Sequence, residues 1–174
     1  MSGWIERLMP HLMLAPIMLP MLTAALMLFL REERQRLKLG MNILSTTISL
    51  VIVVMLLGWT NQAGSAVTMS VYMPGNWPAP FGIALALDRL TALMLLVTYV
   101  VALAALVFSA ARWHKAGVHF HPLFQLQLMG LSGAFITADL FNLFVFFEIM
   151  LAASYGLLLH GSGSTRIQAG LHYI

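Results

Sequence analysis

Cysteine is absent from this 174-residue chain, which excludes disulfides, thiolate zinc sites, cysteine-ligated iron–sulfur clusters and thiol catalysis within it. Charge is almost as scarce. Asp, Glu, Lys and Arg make up 9% of the residues, whereas soluble domains carry about 25%. With 60% of residues hydrophobic, that shortage argues against a water-soluble fold. No Gly-rich phosphate loop follows a strand, no hydrolytic triad is recognisable, and there is neither a low-complexity tract nor a clear repeat. The formal charge of +3 comes from basic residues that sit mainly in short segments between apolar runs. That distribution encodes membrane topology, and no nucleic-acid partner is expected.

What the chain does have is long apolar runs. A hydrocarbon core of about 30 Å takes about 20 apolar residues in a helix, and residues 11–30, 39–59 and 90–111 reach that length. The apolar region 119–160 is too long for one helix, and the polar step at Asp139 and Asn142 divides it. Pro122 suits the first turn of the earlier half. After a Gly/Ser turn at 161–164, a further amphipathic-to-apolar segment starts near Gln168 and the sequence stops at Ile174. The expectation is an all-α polytopic membrane protein. Its five transmembrane helices fall near 11–30, 39–59, 90–111, 120–138 and 140–160, with the start of a sixth at 168–174.

Lys and Arg favour cytoplasmic loops. The linker after the first run holds Arg31, Arg34, Arg36 and Lys38, while the N-terminal tail holds Arg7, so the N-terminus is expected outside. Alternation then puts Arg112, Lys115 and Arg166 inside, and the segment 60–88, which lacks Lys and Arg up to Asp88, outside. Trp59, Tyr72, Trp77 and Phe81 would gather at that outer boundary, as interfacial aromatics do. Pro74, Pro78 and Pro80 forbid continuous helix there, so an ordered outer loop with a short hairpin is expected. The first run exceeds a signal-peptide core and is followed by a basic stop, so it is taken as retained. Pro16 and Pro20 are expected to kink it.

Glu148 stands in one of the most apolar stretches of the chain, 140–151. Helical rise places it roughly 13 Å from Asp139 and roughly 18 Å from His160, near mid-membrane. A carboxylate there costs on the order of 3 kcal/mol on the insertion scale, which the surrounding Leu, Ile, Val and Phe offset. Insertion therefore succeeds but leaves the carboxyl unexplained. Intramembrane ionisable groups mark ion paths or proton relays, the alternative being an interhelical hydrogen bond. Phe141, Phe144, Ala152 and Tyr155 share its helical face, giving an aromatic and small-residue interface. Burial favours the neutral form of a carboxyl and a nearby cation its ionised form, a tunability that a proton carrier needs.

Asp139, with Thr137 and Asn142, could form the mouth of a path, but Asp before an apolar run is first a helix cap. Tyr155 is a supporting candidate, and Phe141 and Phe144 are packing residues. Asp88 and Arg89 are expected to pair with a loop or a headgroup. His114, His119 and His121 lack an accompanying acid or cysteine and are read as a solvated loop, not a metal site. The thirteen Met residues are scattered packing residues. No metal and no cofactor is expected.

The run Thr137-Ala138-Asp139-Leu140-Phe141-Asn142-Leu143-Phe144-Val145-Phe146-Phe147-Glu148-Ile149-Met150, followed by 153–158, resembles the D-type subunits of Mrp-type (Pha or Mnh) monovalent cation/proton antiporters. The stretch 75–82, leading to Leu87-Asp88-Arg89-Leu90, is similar to the same family, and the likeness spans nearly the whole chain. The resemblance implies an antiporter-like fold of about fourteen helices, homologous to the pumping membrane subunits of NADH:quinone oxidoreductase. Residues 1–174 would be the N-terminal part of that proton-translocating domain, a fragment or truncated frame. Glu148 matches the family's essential glutamate, whose lysine partners belong to later helices.

The expected function is therefore proton translocation in a multisubunit Na⁺ or K⁺/proton antiporter of the bacterial inner membrane, a transporter and not an enzyme, with Glu148 as relay. Its partners would be other antiporter subunits, protons, monovalent cations and the bilayer. The alternatives are a pumping subunit of NADH:quinone oxidoreductase and an inactive remnant. A haem anchor needs two His at matched depth, whereas His11, His121, His160 and His172 lie near span ends.

Overall fold

A computed structural model describes residues 3–62, 69–77, 82–111, 119–161, 168 and 170. The described elements run α1 (Gly3–Leu12), α2 (Ala15–Phe29), α3 (Gln35–Gln62), β1 (Met69–Tyr72), a 3₁₀ turn (Pro74–Asn76), β2 (Leu85–Asp88), α4 (Arg89–Ala110), α5 (Phe120–Ile136) and α6 (Leu140–Leu158). Among the described residues, α3, α4 and α6 are long and apolar enough to cross a membrane, and α2 is a shorter apolar helix. The chain is thus a mostly helical multi-pass membrane protein. Phe29 and Phe108, 90% and 80% exposed, present the apolar exterior that lipid, not water, would cover.

Proline explains the first departure from expectation. The single kinked helix over 11–30 is two helices, interrupted at Met13 and Leu14. Pro16 lies in the first turn of α2, where its missing N–H costs nothing, so it opens a helix instead of bending one. Pro20 lies inside α2 and removes the donor for the carbonyl four residues back, that of Pro16. The Tyr99 hydroxyl of α4 replaces it, donating to Pro16 O at 2.9 Å, and Ser132 of α5 completes the group at 3.0 Å. Buried backbone inside a membrane bundle requires such a substitute partner.

Between α3 and α4 the chain forms an antiparallel pair, with Met69 opposite Asp88 and Tyr72 opposite Leu85. Gly75 takes φ 75°, which glycine adopts without penalty, to make the intervening turn. Strand β2 also reaches the end of α5: Leu85 bridges Thr137, and Ala138 N donates to Ala84 O at 2.9 Å. The hairpin thereby satisfies the backbone where α5 hands over to α6. Phe81 and Pro78 lie outside the described residues, as do Arg112, His114, Lys115, Arg166 and His172. Of the segment expected at 168–174, Gln168 and Gly170 are described, both helical.

Helix α5 packs on α2 and α6, and α4 lies against α3. Small residues set the α5–α6 distance. A Cβ on Gly133 would overlap the Phe146 ring, and one on Gly130 would meet Met150 N and Cβ at 3.0 Å, so the two backbones approach as closely as glycine permits. The expected solvated loop at His121 is corrected by the structure. His119 is exposed, but His121 is fully buried in the first turn of α5, where its ring lies against Asn42 of α3.

Candidate functional site

Glu148 lies in the middle of α6, and its surroundings follow from how α6 seats on α5. Phe146 and Met150 contact the α5 glycines, and Ala153 is the one buried residue of α6. At 3.6 residues per turn, Glu148 is roughly 160° around the helix from that contact line. It is exposed, and so are Phe141, Phe144, Val145, Leu151 and Ala152, with Tyr155 half-buried. The carboxyl therefore stands on an aromatic and small-residue face. Among the described residues nothing covers it, and no hydrogen bond or ion pair reaches it. No group of three or more His, Asp or Glu suited to a metal occurs among them either.

Asp139 lies at the start of that helix and acts as its cap: Phe141 N donates to Oδ1 at 2.9 Å and Asn142 Nδ2 to Oδ2 at 2.8 Å. Thr137 closes α5, and its hydroxyl accepts from Asp139 N at 3.4 Å. Asp139, Thr137 and Asn142 thus form one junction between α5 and α6, separated from Glu148 by roughly 13 Å along the helix. Asp88 is also a cap. It accepts from Thr91 N at 2.6 Å, and that bond, followed by the Thr91 hydroxyl, holds its carboxyl below the usual 3.8.

A second polar region stands apart from the candidates that the sequence suggests. Asn42, Ser45, Thr46 and Ser49 line one face of α3 and are all buried. Gln125 of α5, fully buried, donates through Nε2 to Asn42 Oδ1 at 2.7 Å and to Thr46 Oγ1 at 3.2 Å. Ser45 bonds Thr23 of α2 at 2.9 Å, and His121 Nδ1 meets Asn42 Nδ2 at 3.0 Å. The network joins α2, α3 and α5 in the manner of interhelical polar contacts in membranes. The spacing i, i+3, i+4, i+7 on α3 is the signal that could have found it, hidden because the run reads as apolar by length.

No protein-family model matches the chain. In sequence it is 54% identical to the D-type subunit of a probable K⁺/H⁺ antiporter of Rhizobium meliloti (strain 1021), over 100% of this chain and 32% of that protein. It is 35% identical to the D-type subunit of the Na⁺/H⁺ antiporter of Bacillus subtilis (strain 168), over 95% of this chain and 33% of that one. In structure it matches a chain of the Mrp complex from Dietzia sp. DQ12-45-1b with TM-score 0.86 and 32% identity, covering 96% of this chain and 31% of that chain. A chain of an archaeal respiratory membrane complex, the membrane-bound sulfane sulfur reductase, shares the fold with TM-score 0.75 at 24% identity, covering 93% of this chain and 32% of that one. The chain spans about one third of the length of the curated relatives it matches. In sequence and in fold it is a homologue of the D-type subunits of the monovalent cation/proton antiporters.

Proposed function

We propose that the chain contributes the opening helices of a proton-translocating subunit in a multisubunit Na⁺ or K⁺/proton antiporter of the bacterial inner membrane, with Glu148 as the mid-membrane proton carrier. The observation that carries this reading is the placement of Glu148. It is a carboxyl at the centre of an apolar helix, on the side of α6 that faces away from α5, in a chain homologous to antiporter subunits named for K⁺/H⁺ and Na⁺/H⁺ exchange. Further helices of the complete subunit and its neighbouring subunits would cover that face. Asp139, Thr137 and Tyr155 support the site by fixing where α6 begins and what flanks the carboxyl.

The mechanism is a charge switch. A cationic group brought against Glu148 stabilises its ionised form, and withdrawal of that group leaves a carboxylate in an apolar setting, which then takes a proton. The basic residues Arg31, Arg34 and Arg36 favour the cytoplasmic side for the α2–α3 turn, and hence an outer N-terminus and an outer hairpin. A pumping subunit of a respiratory enzyme shares the fold, so fold alone does not separate the two. Sequence identity to the antiporter subunits favours exchange. The test is sodium- or potassium-dependent proton movement in vesicles containing the full-length subunit with its partners. Glu148→Gln is expected to abolish exchange while the complex still assembles, and normal exchange by that variant would refute the relay.

A further inference from the structure

We infer that His121 is a second proton-binding site of this protein, and that a proton bound there opens the α3–α5 contact made through Asn42. The inference rests on the polarity of the buried network and does not depend on the role of Glu148.

The direction of every bond between Gln125 and His121 is fixed by backbone carbonyls. Gln125 Nε2 points at Asn42 O at 3.3 Å as well as at Asn42 Oδ1 at 2.7 Å. A carbonyl oxygen only accepts, so this end of Gln125 is the NH₂ group and Asn42 Oδ1 is an acceptor. The other end of the Asn42 amide, Nδ2, points at His121 Nδ1 at 3.0 Å and at His121 O at 3.4 Å. His121 O is again an obligatory acceptor. Nδ1 must therefore accept, and the ring proton of the neutral imidazole resides on Nε2.

A second proton can only enter at Nδ1. There it turns an acceptor into a donor facing the Asn42 NH₂ group. Reversing the Asn42 amide does not relieve the conflict, since its oxygen would then face His121 O and its NH₂ the NH₂ of Gln125. Reversing Gln125 as well would set an oxygen against Asn42 O. No combination of amide flips accommodates the imidazolium, so protonation must separate the partners.

The charged surroundings bear on the same point. On α3 the nearest titratable side chain is Lys38, 2% exposed and one turn before Asn42. A second positive charge near that lysine adds repulsion to the lost hydrogen bond. Beyond the end of α6 stands His160, which contacts Phe120 at 5.1 Å while Phe120 contacts His121 at 5.3 Å. Helix α2 carries no titratable side chain, and α4 offers Tyr99, engaged with Pro16 and Ser132. Arg112, His114 and Lys115 precede α5, outside the described residues. Glu32 and Glu33 in the α2–α3 turn are exposed. Asp88 and Asp139 are at the other end of the bundle. Because α5 also carries Gly130 and Gly133, the seat of α6, loading of His121 acts on the helix that positions Glu148.

Hydrogen–deuterium exchange of the full-length protein in lipid bilayers, followed across the α3 and α5 peptides and corrected for intrinsic rate, reads the contact without measuring transport. Protection of the first half of α5 is expected to fall about tenfold on going from about pH 8 to about pH 5. His121→Asn supplies an uncharged acceptor in place of Nδ1 and should abolish the transition. Asn42→Asp accepts from both Gln125 and a protonated His121, so the imidazolium no longer faces a donor and the acid-induced loss of protection should disappear or reverse. Flat protection in the wild-type protein, or an acid-induced loss of protection that persists at wild-type size in Asn42→Asp, would overturn the inference. Either result leaves the Glu148 relay standing or falling on its own assay.

Discussion

The two polar regions of the bundle differ in how their charge and hydrogen bonds are met. Between α2, α3 and α5, amides, hydroxyls and an imidazole satisfy one another within the chain, and the side chains involved are almost wholly removed from solvent. On α6, 6% of the apolar window is buried, against 33% for α3, and Glu148 has no partner among the described residues. The first region is held largely by contacts of its own. The second presents a carboxyl left open on an apolar face. Polar groups that are fully paired hold helices together, whereas an ionisable group left open to a moving partner can carry a proton.

That contrast can be tested from its largest expected consequence downward. Glu148→Gln should remove exchange, a loss of about two orders of magnitude or more if the carboxyl is the transferring group, without altering the melting temperature of the complex. Gly133→Leu should do the reverse. It drives a side chain into Phe146, costs about 1–3 kcal/mol by overpacking, and displaces α6 as a whole, so both thermal stability in detergent and exchange should fall.

Asn42→Ala leaves Gln125 Nε2 short of its best acceptor and His121 Nδ1 short of its donor. The cost expected is about 1–2 kcal/mol, at the upper end of interhelical polar contacts in membranes, measured as a lower unfolding midpoint. Asp88→Ala should cost about 1 kcal/mol as a lost cap. Since the native carboxyl is held below its ordinary value of 3.8, its contribution is present above 3.8 and is lost as pH falls through the lower native value. The variant should therefore show a shallower loss of stability on acidification below about pH 4. Phe144→Ala, on the open face of α6, should change the stability of this bundle by less than about 0.5 kcal/mol. A larger effect in the assembled complex than in the isolated subunit would mean that a neighbouring subunit packs on that face.

Much of this is legible in the residues. Run lengths and charge scarcity point to the membrane-embedded helices, and the prolines of 74–80 announce the non-helical segment that contains the hairpin. Asp139 before an apolar run identifies a cap. Pro16 misleads: the rule that proline kinks a helix competes with the rule that proline begins one, and sequence alone does not rank them. His121 is misread because a histidine-rich stretch after a basic loop looks solvated, and only the seating of α5 beside Asn42 of α3 buries that side chain. Asn42 and Gln125, separated by most of the chain, carry no mutual signal, since neither is unusual in its own helix.

The sequence by itself determined which segments are apolar enough to enter a membrane, and it located one carboxyl at the centre of one of them, because hydropathy and helical rise are local properties that accumulate along the chain. Tertiary structure decided which way that carboxyl faces and which polar groups meet. Both depend on the rotation and spacing of helices, and here these are set by contacts between distant residues: Gly133 beneath Phe146, Tyr99 on the carbonyl that Pro20 left without a donor, and Gln125 against Asn42.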